Sequence, residues 1–330
     1  MAAIKVNNLS KEFKVFEKEA GFLGSIKSLV NRKFNLVRAV SEINFQIEEG
    51  ELVGFIGPNG AGKTTTLKCL SGLLYPSRGN VSVLGFTPFE RKYEFLKQIA
   101  LVMGQKNQLW WDLPPIDSFL LNKEIYEVSD NDYQNITNEL IGILDVGKIL
   151  KTQVRKLSLG ERMKCELIAS LIHKPKILFL DEPTIGLDVV MQKALRDFVR
   201  DYNAKYHSTV LLTSHNMDDV KELCKRVLII DKGKLIFDGE LNEIVTKFAD
   251  HKIISVLLDR ELDRAKIEEL STLTEVKEYN FPKLVVKVRR EKASIIAGKI
   301  LSEYQVKDID IQESAIEDII REVFSGKDLA

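Results

Sequence analysis

The stretch Glu51-Leu52-Val53-Gly54-Phe55-Ile56-Gly57-Pro58-Asn59-Gly60-Ala61-Gly62-Lys63-Thr64-Thr65-Thr66-Leu67-Lys68-Cys69-Leu70 decides the fold. Its opening run is almost purely apolar, the pattern of a central parallel strand buried on both faces. A Gly-rich turn follows, and Lys63 onward reads as the start of a helix. Gly57-Pro58-Asn59-Gly60-Ala61-Gly62-Lys63-Thr64 fits G-x-x-x-x-G-K-[ST], a pattern that chance places in roughly one chain in a hundred of this length. A strand before it and a helix after it sharpen the reading. The glycines let backbone amides curl around phosphate oxygens, and the helix N-terminus adds partial positive charge. Lys63 can reach the outer phosphates, and Thr64 can ligate Mg²⁺.

Two further segments carry chemistry beside this cradle. Lys176-Ile177-Leu178-Phe179-Leu180-Asp181-Glu182 is an apolar strand ending in two carboxylates. Parallel strands carry ligands at their C-terminal edge, so Asp181 falls near a phosphate-bound metal. Glu182, one step on, is placed to orient and deprotonate an attacking water. Leu157-Ser158-Leu159-Gly160-Glu161 opens another helix. Alone, it reads as a cap, with Ser158 and Glu161 forming a capping box. It lies about twenty residues before the Asp-Glu strand, and that company gives it a second reading, taken up below.

Outward from these motifs, strands and helices alternate over 1–85 and again over 171–245, with strands at Ile4–Val6, Ile43–Ile47, Lys176–Leu180, Thr209–Thr213 and Arg226–Ile230. From about 86 to 170, strand-like runs thin out and helical periodicity dominates. The pattern predicts an α/β sheet layer with an inserted helical subdomain. The last eighty residues predict a separate small domain: a strand at Ile253–Leu258, a helix near Glu261–Ser271 and strands near Glu275–Tyr279 and Lys283–Val288. A helix at Lys292–Tyr304, a strand at Val306–Ile311 and a closing helix at Ala315–Phe324 follow. The order β-α-β-β-α-β is the split βαβ, or ferredoxin-like, plan. Expected boundaries are 1–245 for the first domain and 250–330 for the second.

Composition narrows the classes. At 330 residues, two domains are expected. Lys+Arg 48 against Asp+Glu 48 leaves no net charge, which removes the cheapest support for nucleic-acid binding. Residues 1–38 hold eight basic and three acidic residues, a local excess of +5. No apolar run approaches the ~20 residues of a spanning helix, and no signal-peptide core opens the chain. Cys69, Cys165 and Cys224 lack metal-ligand spacing and read as buried thiols of a cytoplasmic protein.

Taken together, the motifs resemble the nucleotide-binding subunit of an ATP-binding-cassette (ABC) transporter, over residues 1 to about 245. The resemblance implies a P-loop NTPase (RecA-like) cassette that binds ATP through Gly57, Pro58, Asn59, Gly60, Ala61, Gly62, Lys63, Thr64 and Thr65. It implies Mg²⁺ held by Thr64, Gln105 and Asp181, and catalysis by Glu182, His215 and Lys63. Gln105, after Ile99–Met103, matches the Q-loop glutamine. Gly186-Leu187-Asp188 matches the D-loop, which crosses the dimer interface. His215, after Val210–Ser214, matches the switch histidine that contacts the γ-phosphate. Ser158 and Gly160 match the signature loop, which meets an ATP held by the opposite subunit. Here Leu159 replaces a glycine and Glu161 a glutamine of the usual Leu-Ser-Gly-Gly-Gln. Phe13 sits where the family stacks an aromatic on adenine, with Phe16 as a rival and core packing as the alternative.

Two features point within the family. Residues 17–38 lengthen a loop that is short in most cassettes, with Phe22, Leu23, Ile26, Leu29, Val30 and Phe34 at near-helical spacing. They predict a basic amphipathic helix that touches the membrane or a permease, or packs on its own domain. Trp110 and Trp111, the two tryptophans of the chain, fall in one turn, where the family receives the coupling helix of the membrane subunit; core packing is the alternative. The tail resembles that of ABC-2-type export ATPases. The resemblance thus implies an ATPase that pairs with a second cassette and powers separate permeases at the cytoplasmic face of the membrane, without nucleic acid. Drugs or hydrophobic cations are the substrate class that it suggests. The alternatives are a polysaccharide-exporter ATPase, a soluble cassette ATPase acting on ribosomes or DNA, and a P-loop kinase.

Overall fold

The computed structural model describes residues 2–16, 34–104, 106–214 and 216–325. The chain divides into two compact units, Met1–Gly239 and Glu240–Ala330.

In the first unit, β1 (Ala2–Phe16) is the middle strand of an antiparallel sheet of order β2-β1-β4, with β2 at Phe34–Glu48 and β4 at Arg78–Val83. A second sheet has the order β5-β6-β7-β3-β8-β9. Here β3 is Leu52–Ile56, β5 Ile99–Met103, β6 Ile177–Asp181, β7 Thr209–Ser214, β8 Arg226–Asp231 and β9 Lys234–Glu240. Strands β5, β6, β7, β3 and β8 run parallel to one another. All five residues of β6 and all six of β7 are buried, which is why these strands read as continuous apolar runs rather than alternating ones. The register sets Ile56 beside Ser214 and Asp181 beside both Thr213 and Met103. The C-terminal ends of β3, β5, β6 and β7 therefore share one edge, the edge where open parallel sheets bind ligands.

Helices flank this sheet. Helix α1 (Lys63–Leu70) follows the Gly-rich turn, and the four-residue α2 (Tyr93–Leu96) precedes β5. Helix α3 (Pro115–Ile125) starts with proline in its first turn, where no amide partner is lost. Helix α4 (Asp130–Leu144) is capped by the Ser129 hydroxyl and buries Ile136, Leu140 and Leu144 along one stripe. Both α3 and α4 pack on α5 (Leu159–Leu171). Helices α6 (Val189–Tyr206) and α7 (Met217–Leu223) follow β6 and β7. Cys69, Cys165 and Cys224 are all buried, and burial raises the pKa of each thiol.

Three local expectations change. Phe34 lies in a strand rather than a helix, because β2 pairs with β1 as far as Phe16↔Phe34; residues 17–33 of the insertion lie outside the described residues. The stretch 86–170 contains β5, a strand of the main sheet, so its longer helices begin at Pro115. Strand β4 carries no long apolar run, and its pairing with β1, Ile4↔Val83 to Ser10↔Arg78, is a tertiary choice.

In the second unit, α8 (Leu241–Phe248) precedes β10 (His251–Leu258), α9 (Arg264–Leu273), β11 (Glu275–Asn280), β12 (Lys283–Arg289), α10 (Ala293–Glu303) and β13 (Val306–Glu313). The sheet order β11-β12-β10-β13 is antiparallel throughout, the arrangement of the split βαβ plan. Ile254, Val256, Leu284 and Val286 meet Leu270 of α9 and Ile296 and Ile300 of α10 in a core of their own. The closing helix α11 (Ile316–Ser325) packs on α8. No helix among the described residues is long and apolar enough to cross a membrane.

The independent core makes a prediction. Ile254→Ala should cost about 2–5 kcal/mol, measured as a lower denaturant midpoint for the second unit. Nucleotide affinity, read by fluorescent ATP titration, should stay at the wild-type value.

Candidate functional site

The turn between β3 and α1 owes its shape to two close approaches. A Cβ at position 57 would stand 2.2 Å from the Ile230 carbonyl oxygen, and one at 62 would stand 2.4 Å from that of Ala39. Gly62 also has φ 111°, a conformation open to glycine. The turn therefore lies flat against β2 and β8, and α1 begins at Lys63 with its first amides free of helical acceptors. A cavity of about 500 Å³ opens over it, lined by Asn59, Gly60, Gly62, Lys63, Thr64 and Thr65 from the turn and by Asp181 and Glu182.

Lys63 is buried, and its ammonium donates to the carbonyls of Gly57 (2.6 Å) and Pro58 (3.2 Å), with Glu182 Oε1 at 3.6 Å. Burial pulls its pKa down, while Glu182 and then Asp181 push it back up. Asp181 accepts from the Thr64 hydroxyl at 3.0 and 2.8 Å and from the Thr213 hydroxyl at 2.8 Å. A hydroxyl and a carboxylate in contact form the hard oxygen set that suits Mg²⁺ at a phosphate. Glu182 takes φ 52°, a left-handed conformation costing of order 1 kcal/mol in a non-glycine residue. Its amide donates to the Thr213 carbonyl (3.1 Å) and hydroxyl (3.0 Å). Thr213 thus holds both acidic residues, a role that sequence reading missed. The available signal was a hydroxyl inside the buried aliphatic run of β7.

Gln105 and His215 lie outside the described residues, but their flanks are informative. The Gly104 amide donates to the Asp181 carbonyl at 2.9 Å, and a Cβ there would meet the Glu182 carbonyl at 2.2 Å. The chain leaving β5 therefore runs directly against the acidic turn. Four more residues line the cavity and were not singled out from sequence as site residues: Ala39, Lys68, Met103 and Lys106. Lys68 stands four residues after Thr64 on the same helix face, so helical spacing was the missed signal. With Lys63, Lys68 and Lys106 make three lysines that line a cavity with two acidic residues.

The remaining candidates lie away from it. Phe13 is half-buried opposite Val37, with the Lys11 ammonium 5.2 Å from its ring centre, and does not line the cavity. Asp188 caps α6 by accepting from the Met191 amide (2.9 Å). Ser158 caps α5 in a full capping box: Glu161 Oε2 accepts from its amide and hydroxyl, both at 2.9 Å. Leu159 lies over Gly186, and Met191 lies over Gly160, so the segments around Ser158 and Asp188 touch within one chain. Trp110 and Trp111 are 59% and 48% exposed, which excludes core packing. Leu113, Leu120, Leu121 and Ile125 are also exposed, and the Arg162 guanidinium lies 5.8 Å from the Trp111 ring centre.

Known proteins are similar to this chain in sequence and in fold. The sequence profile of the ABC transporter family matches residues 40–185. The ABC transporter ATP-binding protein NatA of Bacillus subtilis is 31% identical over 212 residues, 64% of this chain and 86% of that protein. This chain belongs to the ATP-binding subunits of ABC transporters. The cassette is an ATPase. A profile of the EvrA-like ABC transporter C-terminal domain matches residues 250–312. The linearmycin resistance ATP-binding protein LnrL of B. subtilis is 26% identical, over 87% of this chain and 94% of that one. The bacitracin transport ATP-binding protein BcrA of Bacillus licheniformis is 30% identical, over 63% and 66%. In fold, the cassette is similar to a solved ATP-binding subunit of an ABC transporter (TM-score 0.62, 24% identity, 74% of this chain and 93% of that). It is also similar to the dimeric cassette MJ0796 bound to ADP and Pi (TM-score 0.60, 20% identity, 72% and 98%).

One buried acid near the site titrates in an accessible range. Glu166 of α5 is 2% exposed; its carboxylate meets the Gln108 amide at 3.4 Å and Arg162 at 3.8 Å. Burial pushes its pKa up to about 7. A carboxyl raised in the folded state stabilises fully below its unfolded pKa, and that contribution is lost as pH rises through about 7. Glu166→Gln should therefore gain on the wild type as pH rises from 5 to 8, by about 3 kcal/mol at most. Thermal midpoints of both proteins across that range check it.

Proposed function

We propose that this cassette is the ATPase of an ABC-2-type exporter, closing as a pair around ATP to drive separate permease subunits at the cytoplasmic face of the membrane. The observation that carries the reading is the cavity where Lys63, Thr64, Asp181 and Glu182 converge. Its three lysines suit a triphosphate, and the amides of the 57–65 turn suit its oxygens. Mg²⁺, when bound by Thr64 and Asp181 with Gln105, neutralises phosphate charge and fixes the phosphate geometry. Lys63, freed from the Gly57 and Pro58 carbonyls, reaches the γ-phosphate with His215. Glu182 orients the attacking water and takes its proton. Phe13 stacks on adenine once the nucleotide brings the base to β1.

Ser158 and Gly160 do not line the cavity of their own chain. That supports their role toward ATP held by a second cassette, in a twofold pair where one surface serves both partners. Asp188 crosses the same interface. The γ-phosphate supplies the contacts across the pair, and hydrolysis removes them. The exposed tryptophan turn faces the permease, as aromatic anchors do at interface centres. The transport and resistance names of BcrA and LnrL support export of drugs or hydrophobic cations. The split βαβ plan of the second unit, unlike a carbohydrate-binding β-sandwich, disfavours a polysaccharide exporter, and a soluble cassette acting on ribosomes or DNA would separate on isolation. This protein should co-purify from membranes with hydrophobic subunits, and recovery with RNA would reject the transporter reading.

Glu182→Gln should abolish turnover and preserve ATP binding, since the amide keeps shape and loses basicity. With ATP and Mg²⁺ this variant should accumulate as a dimer on size-exclusion chromatography, and with ADP it should not. Adding Ser158→Arg should prevent that closure. Retained ATPase activity in Glu182→Gln would show that another group is the base.

Replacing both Trp110 and Trp111 with Ala should weaken assembly with the permease by at least tenfold in pull-down titrations. Because both rings are exposed, the thermal midpoint of the isolated subunit should move little. An unfolded double variant would reject the interface.

A further inference from the structure

Asp219 of α7 is fully buried, and none of the roles above uses it. Its carboxylate accepts from three side chains on three elements. Arg196 Nη1 of α6 donates to Oδ1 at 2.9 Å. The Ser214 hydroxyl at the end of β7 donates to Oδ2 at 2.9 Å, and the Thr184 hydroxyl in the turn after β6 donates to the same oxygen at 2.5 Å. Arg196 is itself held by Glu222 through Nε, at 2.9 Å.

Each donor leads to a functional position. Thr184 stands two residues after Glu182. Ser214 immediately precedes residue 215, and its hydroxyl oxygen accepts from the Asn216 amide at 2.9 Å. One carboxylate therefore fixes the residues on both sides of position 215 together with the turn that carries Glu182. Arg196 adds α6, the helix that Asp188 caps, and Gln192 of the same helix donates to the Leu187 carbonyl at 3.1 Å. A buried carboxylate–guanidinium pair contributes little stability beyond what an apolar pair of the same volume would supply. Its distinctive product is geometry, because all three acceptor contacts must be made at once or a charge is left buried without partners.

We propose that Asp219 is a positioning residue for hydrolysis: it holds the Glu182 turn and the two residues that flank position 215, Ser214 and Asn216, in one register and ties both to α6. The proposal rests on the reading of Glu182 as the base and of His215 as a γ-phosphate contact. Reacting groups misplaced by about 1 Å lose roughly a hundredfold in rate, so a hub of this kind acts on turnover rather than on nucleotide binding.

The test uses the full chain and variants that remove one donor each. Thr184→Val and Ser214→Ala should lower kcat by tenfold to a hundredfold, with KM for ATP and fluorescent-nucleotide affinity within twofold of wild type. Thr184→Ser restores the hydroxyl and should restore kcat. Asp219→Glu keeps the charge but moves it by one methylene, and should not restore turnover. Wild-type kcat per folded molecule in both Thr184→Val and Ser214→Ala, with only the thermal midpoint lowered, would overturn the proposal. Those two variants decide it even where Asp219 variants fail to fold. Glu182→Gln assayed alongside separates the two readings: a dead Glu182→Gln beside fully active donor variants rejects the positioning role alone.

Discussion

The site depends on one carboxylate. Asp181 is almost completely buried, and such a charge is tolerated only where donors surround it. Its donors come from elements that are not neighbours in sequence: Thr64 lies in the first turn of α1 after β3, and Thr213 is the penultimate residue of β7. Because β7 lies between β6 and β3 in the sheet, the Thr213 hydroxyl bridges the gap that the Asp181 side chain spans. Phosphate cradle and acidic turn are therefore built as one object. Without the parallel order β6-β7-β3, the same residues would not meet.

Around this contact, the backbone is pressed unusually close. Gly57 touches the end of β8, Gly62 touches β2, and Gly104 touches the backbone of Glu182. At each point a Cβ would overlap a carbonyl oxygen. The left-handed Glu182 belongs to the same economy of space, since its strain persists only because Thr213 holds its amide from two sides. Strain and close approach gather where reacting groups must be held to fractions of an ångström. The buried hub at Asp219 lies one step further out and fastens the neighbouring turns in the same way.

The rest of the first unit packs around this site. Its helices α3, α4 and α5 bury one face against each other and the sheet, and leave Trp110, Trp111 and the aliphatic face of α3 uncovered. The capping box at Ser158 satisfies both the helix start and the loop geometry, so the structural and functional readings of that segment are compatible. The second unit has its own core and its own sheet.

The sequence alone determined what local chemistry can determine. The motif from Gly57 to Thr64 requires a strand before it and a helix after it, and the continuous apolar runs of β3, β6 and β7 require burial on both faces. The second unit was legible almost element by element, because period-two and helical patterns alternate there with clear turns. Tertiary structure decided the rest. That Thr213 holds two acidic residues, that Lys68 and Lys106 line the cavity, and that Asp219 gathers Thr184, Ser214 and Arg196 depends on strand order. So does the pairing that turns Phe34 into a strand residue. A hydroxyl or a carboxylate shows its type in the sequence, but its partner is set by distance in three dimensions, and hydrogen bonds and desolvation act only across such distances.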